Sequence, residues 1–277
     1  MDYTIRWADM AESRSTGLRS LLRSGAISTL ALATRPRAEP TLRVLYCHYV
    51  FDDQVASFER MIEYLSNIGD FLSADGVLAV VKGAKKLEKR SFHLAFDDGF
   101  RNILVNAWPV LRRNDIPATF FVPSSIVSAD ERTITDYCLN ITNHSDVIEM
   151  ATWDDLAIAQ EEGLTIASHT RTHARFREIS GSSARLEDEL FGSKADIEQK
   201  LGSPCRYISW PYGRITDADE ASLQCVQRAG YDACFGAFRG RIEPGSTNPF
   251  YIPRHHFEPQ WPLAHLKYFA NGGMEGK

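Results

Sequence analysis

The five cysteines (Cys47, Cys138, Cys205, Cys225, Cys234) are an odd number and contain no CxxC pair. Neither a disulfide framework nor a cysteine-based zinc site is indicated, and a reducing compartment is the simpler setting. Long apolar runs are also missing: none approaches the ~20 residues that a spanning helix needs, so no transmembrane segment is expected. Nor is there a basic stripe. With 31 Lys and Arg against 36 Asp and Glu, the net charge is −5. The one basic cluster, Lys85, Lys86, Lys89 and Arg90, reads as a solvated turn, which argues against a nucleic-acid partner. An early GxGxxG turn, internal repeats, low-complexity tracts and a linker long enough to split the chain are all absent.

What remains is the make-up of an ordinary globular protein, 44% hydrophobic and 24% charged over 277 residues, enough for one α/β core. The start is less regular. Arg14, Arg19 and Arg23 precede the run Gly25 to Ala33, which imitates a signal peptide. That run carries Ser28 and Thr29, however, and follows Asp9 and Glu12. Leu18, Leu21 and Leu22 fit an amphipathic helix instead. The reading is a helical N-terminal extension over residues 1–40 and one domain over 41–277, cytoplasmic in preference to secreted or periplasmic.

Within that domain, strand-like and helix-like stretches alternate. Strands are expected over 42–50, 92–96, 118–122, 164–168, 205–209, 233–237 and 250–253. Phe58, Met61, Ile62, Leu65 and Ile68 mark a helix over 55–68, and further helices are expected over 103–113, 153–162, 182–201 and 217–229. Thr152 serves as an N-cap, and Gly163 and Gly202 as stops. Alternating β and α without a dinucleotide-binding turn predicts an α/β fold, a (β/α) barrel of about seven strands.

The chemistry-bearing residues follow these strands. Asp97 and Asp98 come after 92–96, and His169 with His173 comes about 70 residues later, after 164–168. Pro211-Tyr212-Gly213 follows 205–209, and His48 sits near the end of the first strand. In a parallel barrel all of these reach the C-terminal rim. One carboxylate and two imidazoles at i, i+4 suffice to hold a divalent ion, with one carboxylate left as a base. Each motif alone has a bland reading: Asp-Asp-Gly as a turn, the His pair as a helix surface, Pro-Tyr-Gly as a turn, Trp210 as core, Arg254 as a structural ion pair. Their joint occurrence and order favour a site.

The motifs Phe96-Asp97-Asp98-Gly99, Ser168-His169-Thr170 with His173, and Trp210-Pro211-Tyr212-Gly213 resemble the first three motifs of the polysaccharide deacetylases, carbohydrate esterase family 4, the NodB-homology group. The resemblance spans about residues 42–257 and includes Pro117-Ala-Thr-Phe-Phe and Ala229-Gly230-Tyr231. It implies a distorted (β/α) barrel of NodB type and metal-dependent removal of N-acetyl groups from a carbohydrate. By the same resemblance Asp98, His169 and His173 bind a divalent metal, most often zinc. Asp97 is then the base, and Trp210, Pro211 and Tyr212 bind substrate, with the Tyr212 N–H facing the oxyanion. Tyr46-Cys47-His48-Tyr49 resembles the circularly shifted branch of exopolysaccharide poly-N-acetylglucosamine deacetylases, in which an early histidine is the acid. That assigns the role to His48, with His255 and His256 as competitors. Ser209 stands where the family often has an arginine beside the base, and Arg254 is the expected replacement.

Two other functions stay open at this level. One is an amide hydrolase of the same fold acting on a small non-sugar amide or cyclic imide; the other is a carbohydrate-binding relic without catalysis. His93, His144 and His265 read as structural, and residues 124–150 as an inserted polar rim segment.

Overall fold

The structure, a computed structural model, describes residues 2–10, 25–31, 39–273 and 275. Its strands are β1 (Leu42–Cys47), β2 (Asp70–Phe71), β3 (Ser91–Phe96), β4 (Ala118–Val122), β5 (Thr165–Ser168), β6 (Tyr207–Ser209), β7 (Ala233–Phe235) and β8 (His255–His256). All pairings are parallel, in the order β7-β6-β5-β4-β3-β1-β8, with β2 beside the first half of β3. This is the expected α/β architecture, a parallel sheet curved into a distorted (β/α) barrel.

Parallel strands covered on both faces need apolar residues at nearly every position. β1, β3, β4, β6 and β7 are buried throughout. Alternation then sorts them: Leu45, Cys47, Leu94, Phe96, Phe120 and Val122 join an outer cluster with the helix Val55–Ile68, whose Phe58, Met61, Ile62 and Leu65 are buried. Val44, Tyr46, Ala95, Phe121, Ala167 and Phe235 form an inner cluster, which the helix Ala74–Val81 fills with Val77, Leu78, Val80 and Val81. Truncating fully buried Phe58 to Ala is worth about 3–5 kcal/mol of stability.

One short segment ties the two sheet edges together. Ile252 bridges Phe235 of β7, and three residues later β8 pairs with Leu45 and Tyr46 of β1. The strand expected over 250–253 is therefore reduced to that bridge plus β8, because residues 252–256 cross between edges instead of running along one. Other expectations shift locally. The helix over 182–201 is continuous but contains a π turn at Asp188–Gly192, and the one over 103–113 begins with a π turn at Ile103–Ala107. The helix expected from 217 starts at Glu220, because the Asp219 side chain caps Ser222 N. Thr152 caps its helix and Gly202 ends the long helix in the left-handed region, both as expected. Sequence reading missed β2 and the helices Ala74–Val81, Phe176–Ile179 and Leu263–Ala270.

The rim segment 124–150 is not only loop; it holds the helix Glu131–Asp136 and a π turn at Tyr137–Ile141. Arg90 departs from the solvated-turn reading, being buried with its guanidinium donating to Asn271 Oδ1. Near the N-terminus, residues 2–6 lead without regular structure into a 3-10 turn at Trp7–Asp9, where Trp7 stacks on Tyr49 at 5.5 Å. Residues 25–31 are helical; Arg14, Leu18, Arg19, Leu21, Leu22 and Arg23 lie outside the described residues. Among the described residues no helix is long and apolar enough to cross a membrane.

His93 faces the inner cluster fully buried, donating Nδ1–H to Leu72 O at 2.8 Å. Burial pulls its pKa down to about 4. Because the folded state resists protonation more than the unfolded chain, stability is present above about pH 6.5 and is lost as the pH falls toward 4. Denaturant unfolding at pH 7 and pH 5 is expected to show about 2 kcal/mol more acid destabilisation in the wild type than in His93→Gln. Equal losses in both would remove His93 as the cause.

Candidate metal and catalytic site

Register brings the rim together. Cys47 pairs with Phe96, and Ser168 with Ile208, so the residues that follow converge. Asp97 N still donates to Cys47 O, and His169 N to Val122 O, which anchors the chain at the moment it leaves the sheet. Beyond those anchors the backbone turns into the left-handed region at Asp98 (φ 71°), Thr170 (63°), His173 (65°) and Tyr212 (61°). Each costs a non-glycine residue on the order of 1–2 kcal/mol, and such positions concentrate at functional sites. At Gly213 a Cβ would sit 2.2 Å from Ala237 Cβ, so only glycine closes the Tyr212 turn.

Asp98 Oδ1 lies 3.4 Å from His169 Nε2 and 3.2 Å from His173 Nε2, all buried. Those separations match the edge of a tetrahedron built on bonds of about 2.0–2.1 Å, roughly 3.3 Å. Burial would raise the Asp98 carboxyl, but the two imidazoles hold it well below the ordinary range. Burial lowers His173, favouring the neutral form that ligates metal. His169 donates Nδ1–H to Ser209 O at 2.9 Å, with Ser209 Oγ at 2.7 Å, which leaves Nε2 for an ion. One carboxylate and two imidazoles facing a cavity fit a divalent ion of zinc's preference, and Asp98, His169 and His173 would hold it.

Asp97 leaves the strand end toward a different partner. Its carboxylate takes two hydrogen bonds from Arg254, Nη1 at 2.8 Å and Nη2 at 2.7 Å, with both side chains buried. Burial alone would raise Asp97; the Arg254 cation overrides it and keeps the acid ionised. Arg254 is itself held by Gly236 O at 2.5 Å and lies 4.2 Å over the Tyr46 ring. Ser209 takes up the space beside this pair, with its Oγ 3.4 Å from Asp97 Oδ1.

His48 lines the same cavity, as His255 and His256 do not. Its Nδ1 is 2.7 Å from Glu258 Oε1. Burial pulls its pKa down, but Asp98 and Glu258 carry it up to about 9. His255 instead faces Gly240 O and Glu275, away from the cavity, and His256 stands behind His48 on Glu258.

Residues 84–234 match the family model described as polysaccharide deacetylase. The chain belongs to the polysaccharide deacetylase family. It is 27% identical over 207 residues to the poly-beta-1,6-N-acetyl-D-glucosamine N-deacetylase of Staphylococcus aureus, an alignment covering 72% of the chain and 65% of that relative. The chain thus spans just under two thirds of the curated relative's length. Among solved structures, IcaB from Ammonifex degensii superposes with TM-score 0.66 at 21% identity, covering 84% of this chain and 98% of that one. The BpsB deacetylase domain from Bordetella bronchiseptica gives 0.65 at 21%, covering 80% and 98%. Both show the same fold.

The deacetylase motifs enclose a cavity of about 140 Å³ lined by Tyr46, His48, Asp97, Asp98, Thr142, His169, His173, Trp210, Tyr212 and Ala237. Trp210 contributes from a fully buried position, stacked with Phe176, Phe238 and Tyr251. Its role there is a wall, not an exposed sugar platform. Pro211 is buried and is not among the residues that line the cavity. Tyr212 remains at the mouth, 36% exposed, with Arg175 3.8 Å over its ring.

Sequence reading missed the groups that brace the site. Tyr137 from the rim segment donates its hydroxyl to Asp98 O at 3.1 Å and meets His173 edge-on. Glu189, buried on the π turn of the long helix, accepts from Arg171 N and Thr172 N at 2.9 Å each, and from the Thr172 hydroxyl. It therefore clamps the tight turn between the two histidines. The only sequence signal was an acidic residue at a helix position that packs inward. Replacing it should loosen the imidazole spacing: Glu189→Gln is expected to weaken zinc binding about 10–100-fold in a competition titration with a chromogenic chelator. Unchanged zinc affinity would assign Glu189 to stability alone.

Proposed function

We propose that the chain hydrolyses N-acetyl groups on an N-acetylated carbohydrate polymer or conjugate, releasing acetate in a zinc-dependent reaction. The observation that carries this reading is the division of labour between adjacent carboxylates. Asp98 sits between two imidazoles, and Asp97 is held apart from them, ionised, by Arg254. A bound divalent ion would polarise the acetyl carbonyl and make water more acidic. Asp97 Oδ then takes the water proton. The Tyr212 backbone, turned into the left-handed region on the cavity wall, offers its N–H to the developing oxyanion. His48 gives a proton to the departing nitrogen, so the C–N bond breaks to amine and acetate.

Size favours a carbohydrate over a small amide or cyclic imide. Pockets that enclose a whole small ligand run to roughly 300–1,000 Å³ and are mostly apolar. This one has about 140 Å³, with two carboxylates and three imidazoles set among aromatic walls. It admits a pendant acetamido group and leaves the rest of the substrate outside. A non-catalytic relic would have no reason to retain ligands, base and the cation that orients the base.

Acetate release from poly-β-1,6-N-acetylglucosamine, chitin oligomers and peptidoglycan fragments, with chelated and zinc-restored protein as controls, tests the reading. The wild type is expected to release acetate from at least one of these glycans only when zinc is present. Asp97→Asn is expected to keep one zinc while kcat falls about 10²–10⁴-fold. Asp98→Ala and His169→Ala are expected to lose metal and turnover together. Acetate release by Asp97→Asn at the wild-type rate would overturn the base assignment.

A further inference from the structure

Beside the ligand cluster stands a second group of ligand-type side chains, His48, His256 and Glu258, whose donor atoms lie within 4.8 Å of one another. Spacing separates it from a metal site. Around Asp98 the N···O separations of 3.2 and 3.4 Å fit a tetrahedral edge. Here His48 Nδ1 and His256 Nε2 each lie 2.7 Å from a single oxygen, Glu258 Oε1, which is a charge-assisted hydrogen-bond length.

The proton positions follow. Burial would raise Glu258, but the two imidazoles hold it below the usual carboxylate range. An ionised carboxylate only accepts, so His48 donates Nδ1–H and His256 donates Nε2–H. Nε2 of His48 is then the nitrogen left for the cavity that the ring lines. His256 does not line that cavity; it is packed between Tyr46 at 5.1 Å and Trp261 at 5.0 Å. Among the described residues Glu258 Oε2 is buried with no hydrogen-bond partner, and the carboxylate is held there through the oxygen that the two histidines share.

We propose that His256 is a positioning residue of the deacetylation, acting on His48 through the Glu258 carboxylate. Glu258 locks the His48 ring with Nδ1 protonated and Nε2 toward the leaving nitrogen, and His256 pins the shared oxygen so that the carboxylate does not turn away. The inference rests on the reading of His48 as the acid. It goes beyond it by assigning a second histidine that touches neither substrate nor metal.

The test combines nitrogen-15 NMR of the histidine rings with a mutant cycle in the zinc-loaded chain. In the wild type, His48 Nδ1 is expected to be protonated and hydrogen-bonded, and Glu258→Ala is expected to return the ring to mixed tautomers. Glu258→Ala should lower kcat about 10–100-fold, and His256→Phe about tenfold, with KM and zinc content unchanged. Glu258→Gln, which keeps the volume, should give the smaller loss if Glu258→Ala does not fold. In the His48→Ala background neither change should lower kcat further. An unprotonated His48 Nδ1 in the wild type, or full effects that persist without His48, would overturn the proposal. If the wild type released no acetate from any glycan, the deacetylase reading would fall, and the NMR arm alone would decide the triad.

Discussion

The buried pair between Arg254 and Asp97 is the contact on which the rest of the site depends. Ion pairs this deep contribute little net stability, because desolvation offsets most of the attraction, and removing one partner strands the other at a cost of about 3–5 kcal/mol. The pair is tolerable here because each guanidinium nitrogen has a partner: two bonds to Asp97, one to Gly236 O, and the Tyr46 ring beneath. Its consequence is separation. Without Arg254, Asp97 would be a second buried carboxylate next to Asp98, free to take a proton or to join the imidazole cluster.

Barrel closure and base orientation are one event in this chain. Arg254 lies in the crossing that carries Ile252 on β7 to His255 on β1, and two residues past β8 comes Glu258, the carboxylate that holds His48. A single stretch of 252–258 therefore supplies the partner of the proposed base and the partner of the proposed acid. The strained turns at Asp98 and His173 are braced separately, by Tyr137 and Glu189. Geometry at the cavity is over-determined from both sides, as precise placement of reacting groups requires.

Much of this was legible in the sequence where periodicity or motif spacing was strong. The helix Val55–Ile68 and the Thr152 cap follow from apolar spacing and capping chemistry, and the rim placement of Asp97, Asp98 and His169 follows from their positions after apolar runs. Arg254 was reached only through the absence of the usual arginine at Ser209. What stayed hidden depends on tertiary pairing. β2 has two residues and no alternation to read, the crossing at 252–256 imitates a strand, and buried Arg90 looks like part of a basic turn until Asn271 meets it. Glu189 and Glu258 look like surface acids in sequence, and only the fold shows them turned inward.

The most direct measurement is zinc stoichiometry and acetate turnover of Arg254→Met, alone and combined with Asp97→Asn, in protein verified as folded. If Arg254 acts by holding the base, the single variant retains one zinc and loses kcat to about the level of Asp97→Asn, and the double variant loses no more. Wild-type turnover in Arg254→Met, or loss of zinc together with turnover, would contradict that role.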